Sequence, residues 1–149
     1  MTDVNVTASK GITLGIGDGA DPEVFNTIGG IQDMPAINAA KSTKDRTDLG
    51  DTNRDYGLGI GEPPSFSLTA FWDPNDAAHE PIVTAHTDET KNNYQITCPN
   101  DPVTVYEFKA LVTGYSTPYA GVDGDLMWDI NFQLTENDQG AIMTKNPGT

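Results

Sequence analysis

The residues best spaced for metal binding lie between Asp51 and Glu62. Asp51, Asn53 and Asp55 alternate along the chain and Glu62 falls at the twelfth position, which is the oxygen-ligand spacing of an EF-hand calcium loop. The sixth position, where the sharp turn needs glycine, is Tyr56 instead. Glycine and proline also flank the segment where that motif requires two helices. The sequence therefore favours a solvated acidic loop over a calcium site.

The two histidines do not complete a zinc motif. His79 and Glu80 begin like the helix of a zinc protease, but Pro81 follows and Val83 stands where the second histidine is needed. His79 and His86 are seven positions apart, and two histidines without a third ligand seldom hold zinc. We expect surface or capping histidines.

The glycine-rich and acidic turns also lack the partners that chemistry requires. Residues 15–19 are rich in glycine, but no Lys-Ser or Lys-Thr pair follows to hold a phosphate. The pairs Asp18/Asp21 and Asp123/Asp125 lie in glycine-rich turns, where carboxylates are normally solvated. No Gly-x-Ser-x-Gly motif places a nucleophile. We predict no catalytic residues, no metal ligands and no cofactor.

Charge and length set the class of protein. The chain has 149 residues, with 8 basic and 22 acidic side chains and a formal net charge of −14. This balance argues against tight binding to nucleic acid, which depends on lysine and arginine. The length suits one domain over residues 1–149. The single Cys98 fits a reducing cytoplasm, and no apolar run is long enough to suggest a membrane span.

Three segments have the alternation of half-buried strands: residues 64–72, 103–115 and 126–134. Their predicted core residues are Phe66, Leu68, Ala70 and Trp72; Tyr106, Phe108, Ala110 and Val112; and Leu126, Trp128, Ile130, Phe132 and Leu134. With shorter strands near residues 12–16, 23–34 and 94–98, we expect about seven strands. The predicted class is mainly β, a sandwich or partly rolled barrel with one flanking helix.

The remaining segments are expected to be less regular. Residues 1–22 form an N-terminal arm, residues 35–64 a long charged loop, and residues 135–149 a loosely held polar tail. Within residues 23–34, the Gly29-Gly30 pair predicts a bulge or a close backbone approach. Asp73 is a candidate N-cap for a helix with Pro74 at its first position, and Pro81 limits or bends that helix.

The order of these segments resembles phage tail tube proteins. The resemblance rests on Val24-Phe25-Asn26-Thr27-Ile28, on the strand that ends in Trp72-Asp73-Pro74, and on the helix, hairpin and closing alternating strand that follow. It covers most of residues 11–135.

The resemblance implies subunits that assemble into hexameric rings, which stack into a hollow tube. It also implies tail terminator, baseplate or tip, and tape measure proteins as partners, and a place in the virion tail after synthesis in the host cytoplasm. DNA would pass without specific binding, because a lumen of the same sign as DNA offers no sites of attachment.

Two groups of residues are candidates for this assembly. On the polar face of the last strand, Asp129, Asn131 and Gln133 are candidates to face the lumen, and contact with solvent or a neighbour is equally open. The N-terminal arm and the long loop are candidates for contacts between rings, and the charged residues of the loop proposed for them are Lys41, Lys44, Arg46, Asp48, Asp51, Arg54 and Asp55.

Two other functions remain open on sequence alone. A tube subunit of a bacterial contractile or secretion device would share the same architecture. A carbohydrate-binding β-sandwich would use exposed aromatic side chains, with Tyr56, Tyr115 and Tyr119 as candidates for a stacking platform.

Overall fold

A computed structural model describes residues 11–20, 22–99, 103–120, 124–137 and 140–147. These residues form eleven strands and one helix. The elements are β1 (Thr13–Gly17), β2 (Phe25–Thr27), β3 (Ile31–Asp33), β4 (Ala40–Asp45), β5 (Tyr56–Glu62), β6 (Ser65–Phe71), α1 (His79–Asp88), β7 (Lys91–Cys98), β8 (Thr104–Tyr115), β9 (Tyr119–Ala120), β10 (Leu126–Thr135) and β11 (Thr144–Pro147). The predicted mainly β class with one helix is confirmed.

The alternating strands bury the faces that their sequences predict. In β6, Phe66, Leu68 and Ala70 are buried, while Ser65 and Ser67 on the opposite face are exposed. The corresponding buried residues of β8 and β10 are Phe108, Ala110, Val112, Trp128, Ile130, Phe132 and Leu134. Burying each large side chain contributes about 2 kcal/mol. Trp72 and Tyr106 are partly buried and pack against the core. Leu126 is the exception, since it is 48% exposed at the start of β10.

Aromatic rings connect four neighbouring strands through the core. Phe66 of β6 stacks on Phe132 of β10 with ring centroids 4.9 Å apart. Tyr94 of β7 lies 5.5 Å from Phe108 of β8 and 5.1 Å from Phe132. Ile82 and Ala85 of α1 are buried in the same cluster. The core therefore lies between one face of the sheet and the helix.

The main sheet is antiparallel, with the strand order β2-β1-β7-β8-β10-β6-β3. In a flat sheet, the six steps from β2 to β3 would span about 29 Å. Thr27 of β2 pairs with β1 at one edge, and Ile31 of β3 pairs with β6 at the other. Four residues of chain reach only about 14 Å. The sheet must therefore be rolled, although the described strands do not close it into a barrel.

The connection between β2 and β3 joins the two edges of the rolled sheet. The N–H of Ile28 donates to the carbonyl of Leu14 on β1 at 2.8 Å, and the N–H of Phe71 on β6 donates to the carbonyl of Gly30 at 2.9 Å. The N–H of Gly29 donates to the Asp76 carboxylate at 3.2 Å. Gly30 has φ of +71°, and a Cβ there would lie 3.0 Å from the Cβ of Phe71. The close backbone approach predicted for this glycine pair is confirmed.

The helix begins later than predicted. Asp73 does not cap it, because its carboxylate accepts the N–H of Asn75 in a separate turn and α1 starts at His79. A helix that started at Pro74 would place Pro81 in its interior, where proline clashes with the preceding turn. Starting at His79 keeps Pro81 in the first turn, where a backbone N–H has no intrahelical partner.

Three other segments differ from the sequence predictions. Residues 23–34 form two strands separated by the glycine turn, where one strand was expected. Residues 35–64 contain the antiparallel pair β4 and β5, which form a separate two-stranded sheet. Residues 135–149 include β11, which pairs with β8, so this part of the predicted loose tail is held in the sheet. Residues 13–17 of the predicted arm form β1, which lies inside the sheet between β2 and β7, and residues 1–10 of the arm lie outside the described residues.

In the described part of the chain, no helix has the length and apolar character needed to cross a bilayer.

Gly30→Ala should destabilise the unassembled chain more than Gly19→Ala does. Both glycines have positive φ, but a Cβ at Gly19 meets nothing within 4 Å. Each alanine carries the left-handed penalty of about 1 kcal/mol, and contact with Phe71 should add about 1 kcal/mol at Gly30. Urea unfolding measures the free energy of unfolding of each variant. An equal decrease in the two variants would show that the contact with Phe71 does not constrain residue 30.

Candidate assembly surfaces

The hairpin of residues 40–62 presents two different faces. In β5, Tyr56, Leu58 and Ile60 alternate with Gly57, Gly59 and Gly61. The three large side chains are 58%, 63% and 87% exposed. We call them the apolar stripe. A hairpin of two strands is marginally stable in water by itself, so an exposed apolar stripe on such an element is typical of a contact surface.

The glycine face of β5 is filled by side chains of neighbouring segments. The Arg46 guanidinium lies across Gly57, at a place where any Cβ would clash with it. At Gly59, a Cβ would lie 2.7 Å from the Ser42 hydroxyl, and at Gly61 it would lie 3.1 Å from Ile142. The glycines thus let β4 and the 140–143 segment pack closely against the β5 backbone.

A groove with a volume of about 810 Å³ opens at the base of the hairpin. Residues 39–41 and 58–61 form one side, and residues 140–143 form the other. Ile142 packs against Gly61 and joins the edge of the core. The segment before β11 therefore braces the base of the hairpin.

The structure brings the predicted ring-contact residues together in one element. Lys41 and Lys44 lie on β4, and Arg46, Asp48, Asp51, Arg54 and Asp55 lie in the connection from β4 to β5. All of these residues are exposed. Their contact with another ring stays a prediction.

Only one ion pair forms within the described hairpin. Arg54 donates to Asp45 at 2.8 Å, with both side chains well exposed. The hydroxyl and N–H of Thr47, and to a smaller extent Arg54, hold the pKa of Asp45 below its usual range. Within the described residues, Lys41, Lys44 and Arg46 have no ion-pair partner.

The EF-hand spacing does not converge into a cation site. Asp51 accepts the N–H of Asp48 in the turn at the hairpin tip, whereas Glu62 is the last residue of β5 at the base. Arg54, inside the same spacing, pairs with Asp45. Among the residues that the structure describes, no cluster of three His, Cys, Asp or Glu side chains is arranged for a metal.

The three lumen candidates share the polar face of the sheet, opposite the core. Asn131 accepts the Ser67 hydroxyl at 2.5 Å and remains exposed. Gln133 donates to the carbonyls of Pro63 and Leu134 at 3.0 and 3.1 Å. Gln133 therefore ties the end of the hairpin segment to β10. Whether this face lines a lumen stays a prediction.

Asp129 is the centre of a hydrogen-bond network on that face. One of its carboxylate oxygens accepts the Thr69 hydroxyl at 2.8 Å and the Tyr119 hydroxyl at 2.9 Å. The hydrogen bond to Asp129 is the main cause that raises the pKa of Tyr119. The N–H of Asp129 also donates to the Ser116 hydroxyl at 2.8 Å. Asp129 thus holds the β8–β9 connection against β10.

The histidines pack on aromatic rings, in contrast to the surface or capping positions that we expected. His79 lies 4.6 Å from the ring of Trp128, and His86 lies 5.2 Å from the ring of Tyr115. Both side chains are half-buried. The two histidines contact different aromatic partners and share no ligand site.

The proposed carbohydrate platform is not assembled. Tyr115 and Tyr119 lie where β8 ends, and Tyr119 is hydrogen-bonded to Asp129. Tyr56 lies on the hairpin, at the opposite end of the sheet. The three rings therefore cannot stack on one sugar chain.

Asp18 has a structural role in the connection from β1 to β2. Its carboxylate accepts the N–H groups of Ala20 at 2.9 Å and Val24 at 3.1 Å, and these bonds lower the pKa of Asp18. Asp125 is exposed. Asp21 and Asp123 lie outside the described residues.

The apolar stripe is the surface that sequence reasoning missed. The signal was present, because Tyr56-Gly57-Leu58-Gly59-Ile60-Gly61 alternates strictly. Period-two alternation predicts a strand, but glycine is depleted in strands, and this favoured the prediction of a loop.

No protein-family model matches this sequence. No curated protein matches it in sequence either.

Solved structures with a similar fold come from phage-like tails and injection devices. The tube-terminating cap of the anti-feeding prophage has a TM-score of 0.70 and 14% identity, over 99% of this chain and 95% of that chain. The tail of an empty gene transfer agent particle, computed with C6 symmetry, has a TM-score of 0.62 and 19% identity, over 83% of this chain and 92% of that chain. The SPP1 tail tube has a TM-score of 0.59 and 15% identity, over 95% of this chain and 80% of that chain. This chain therefore has the fold found in tail-tube and tube-cap subunits.

Proposed function

We propose that this chain is the structural subunit of a phage tail tube. The observation that carries the proposal is the exposed apolar stripe on a two-stranded hairpin, which projects from a fold shared with tail-tube subunits. A surface of this kind is stabilised when another protein covers it. The role is structural rather than catalytic.

The proposed assembly is a stack of hexameric rings that forms a hollow tube. Its support is the similarity to a tail computed with C6 symmetry. The hairpin residues from Lys41 to Asp55 are the proposed contacts between rings, and the groove at the hairpin base adds apolar surface beside them. Further partners are a terminator, a baseplate or tip protein and a tape measure protein, and the location is the virion tail.

The proposed lumen is acidic and does not bind DNA. Its support is the net charge of −14 together with the hydroxyl, amide and carboxylate groups on the polar face of β6 and β10. Repulsion between like charges lets a genome slide without being held.

A second candidate is the corresponding subunit of a contractile injection device. The similarity to the tube-terminating cap of the anti-feeding prophage favours it. The same assembly surfaces serve both devices, and the genes that neighbour this one would distinguish them.

Excision of residues 40–62 should give a folded subunit that does not form tubes. Ala40 pairs with Glu62, so the cut ends lie side by side and a short glycine–serine linker can join them. The matched variant is Leu58→Ser with Ile60→Ser, which keeps the hairpin but removes most of the apolar stripe. Negative-stain microscopy and circular dichroism measure the two properties, and tubes formed by both folded variants would overturn the hairpin assignment.

Asn131→Cys should be protected from bulky reagents in assembled tubes. In a Cys98→Ala background, a small maleimide should label this cysteine in both subunits and tubes, because the lumen admits small molecules. A maleimide coupled to a large globular carrier should label it only in free subunits.

Thr84→Cys, on the exposed side of α1, is the control and should react with both reagents in tubes. Equal labelling of the two cysteines by the bulky reagent would contradict the lumen assignment, and loss of labelling by the small reagent at Asn131→Cys would indicate a buried interface.

A further inference from the structure

The hairpin is joined to the main sheet at its base. In the described part of the chain, β4 and β5 pair with each other and with no strand of the main sheet. The chain enters the hairpin through residues 34–39, which have no regular structure, and leaves it through Pro63 and Pro64. The Gln133 side-chain amide donates to the carbonyls of Pro63 at 3.0 Å and Pro64 at 3.3 Å. The hairpin can therefore turn about its base without breaking the pairing of the main sheet.

The groove at the hairpin base has apolar side chains on both sides. Leu58 and Ile60 of the apolar stripe line its hairpin side. Glu136 and residues 140–143 line the other side, which we call the fixed wall. The two sides meet where Ile142 packs against the backbone of β5. Closing the groove would bury apolar side chains of both sides, and burial of apolar surface is favourable in water.

The two sides of the groove carry opposite charges. Among the described residues that line it, Lys41 on the hairpin and Glu136 on the fixed wall are the charged ones. Glu136 lies beside Gly140, where a Cβ would be 3.3 Å from its carboxylate. The described contacts include no ion pair between Lys41 and Glu136. One cation facing one carboxylate across the groove favours a closed arrangement in which the two meet.

The fixed wall is held to the main sheet by its own hydrogen bonds. The N–H of Asn137 donates to the Ala141 carbonyl at 2.8 Å, and the N–H of Ala141 donates to the Asn137 side chain at 2.9 Å. The Asn137 amide also donates to the hydroxyl of Thr144 at 2.8 Å. Thr144 begins β11, which pairs with β8. Because this wall is anchored in the sheet, the hairpin is the part that moves when the groove closes.

We propose that in the free subunit the hairpin closes onto the fixed wall and hides part of its apolar stripe. In the closed form Lys41 pairs with Glu136, and Leu58 and Ile60 pack on residues 141–143. The structure shows the open form, in which these side chains are exposed. This inference rests on the proposed function, because the closed form is autoinhibitory: it keeps Leu58 and Ile60 from reaching another copy. Closing itself is a property of the single chain.

A disulfide across the groove tests the closed form. In a Cys98→Ala background, Lys41→Cys with Glu136→Cys should form a disulfide within one chain, and the oxidised subunit should form no tubes until a reductant opens it. The matched control is Ala40→Cys with Glu62→Cys, at paired positions of β4 and β5. Its disulfide lies within the hairpin, so tubes should form before and after reduction. Mass spectrometry measures the disulfides and negative-stain microscopy measures the tubes.

Two results of this experiment would overturn the proposal. One is a disulfide that forms in the control but not across the groove. The other is tube formation by subunits that are fully cross-linked across the groove. If the wild-type chain forms tubes in the same experiment, either result leaves the proposed function standing.

Glu136→Lys tests whether closing delays assembly. The variant replaces attraction to Lys41 by repulsion and leaves every hairpin residue unchanged. The lag before tubes appear, measured by light scattering, should shorten about two- to five-fold, which is the size of one exposed ion pair. Glu80→Lys, at an exposed position of α1, makes the same change in net charge and should shorten the lag less. Equal lag times in the two variants would overturn the autoinhibitory role.

Discussion

The short connection from β2 to β3 constrains the whole fold. It pairs with β1 on one side and β6 on the other, so the sheet must roll until its edges are within reach of a few residues. Rolling turns the apolar faces of β6, β7, β8 and β10 toward one another, and the aromatic rings of Phe66, Tyr94 and Phe132 then fill the space between them. Gly29 and Gly30 allow this connection, because a Cβ at Gly29 would lie 2.9 Å from an Asp76 carboxylate oxygen and one at Gly30 would lie 3.0 Å from the Cβ of Phe71.

The same rolling separates the surfaces that remain. The core takes the large apolar side chains of the strands, and hydroxyl, amide and carboxylate groups satisfy one another on the polar face, with Asp129 accepting two hydroxyls. The strand ends are left with exposed apolar side chains and unpaired charge. The hairpin leaves from one of these ends and stays outside the core, so its apolar stripe remains exposed among the described residues.

The sequence predicted the strands that bury one face. In β6 and β10 the alternation of large apolar with polar residues has a direct physical cause, because one face meets the core and the other does not. Leu126 follows the same alternation but begins its strand at an open end of the sheet, where nothing covers it. The position of Pro81 explains why the helix starts at His79 and not at Pro74. Asp73, which the sequence indicated as an N-cap, stabilises a separate turn.

The candidate assembly surfaces were harder to predict from the sequence than the core strands. The charged residues of the hairpin were identified from composition, but the pairing of β4 with β5 depends on side chains such as Arg46 and Ile142 that pack against glycine, and β5 has few residues with strand propensity.

Microscopy of the purified protein at high concentration tests the central claim, that this chain assembles with itself into a tube. We expect hollow tubes made of stacked rings. A protein that remains a stable monomer under these conditions would contradict it.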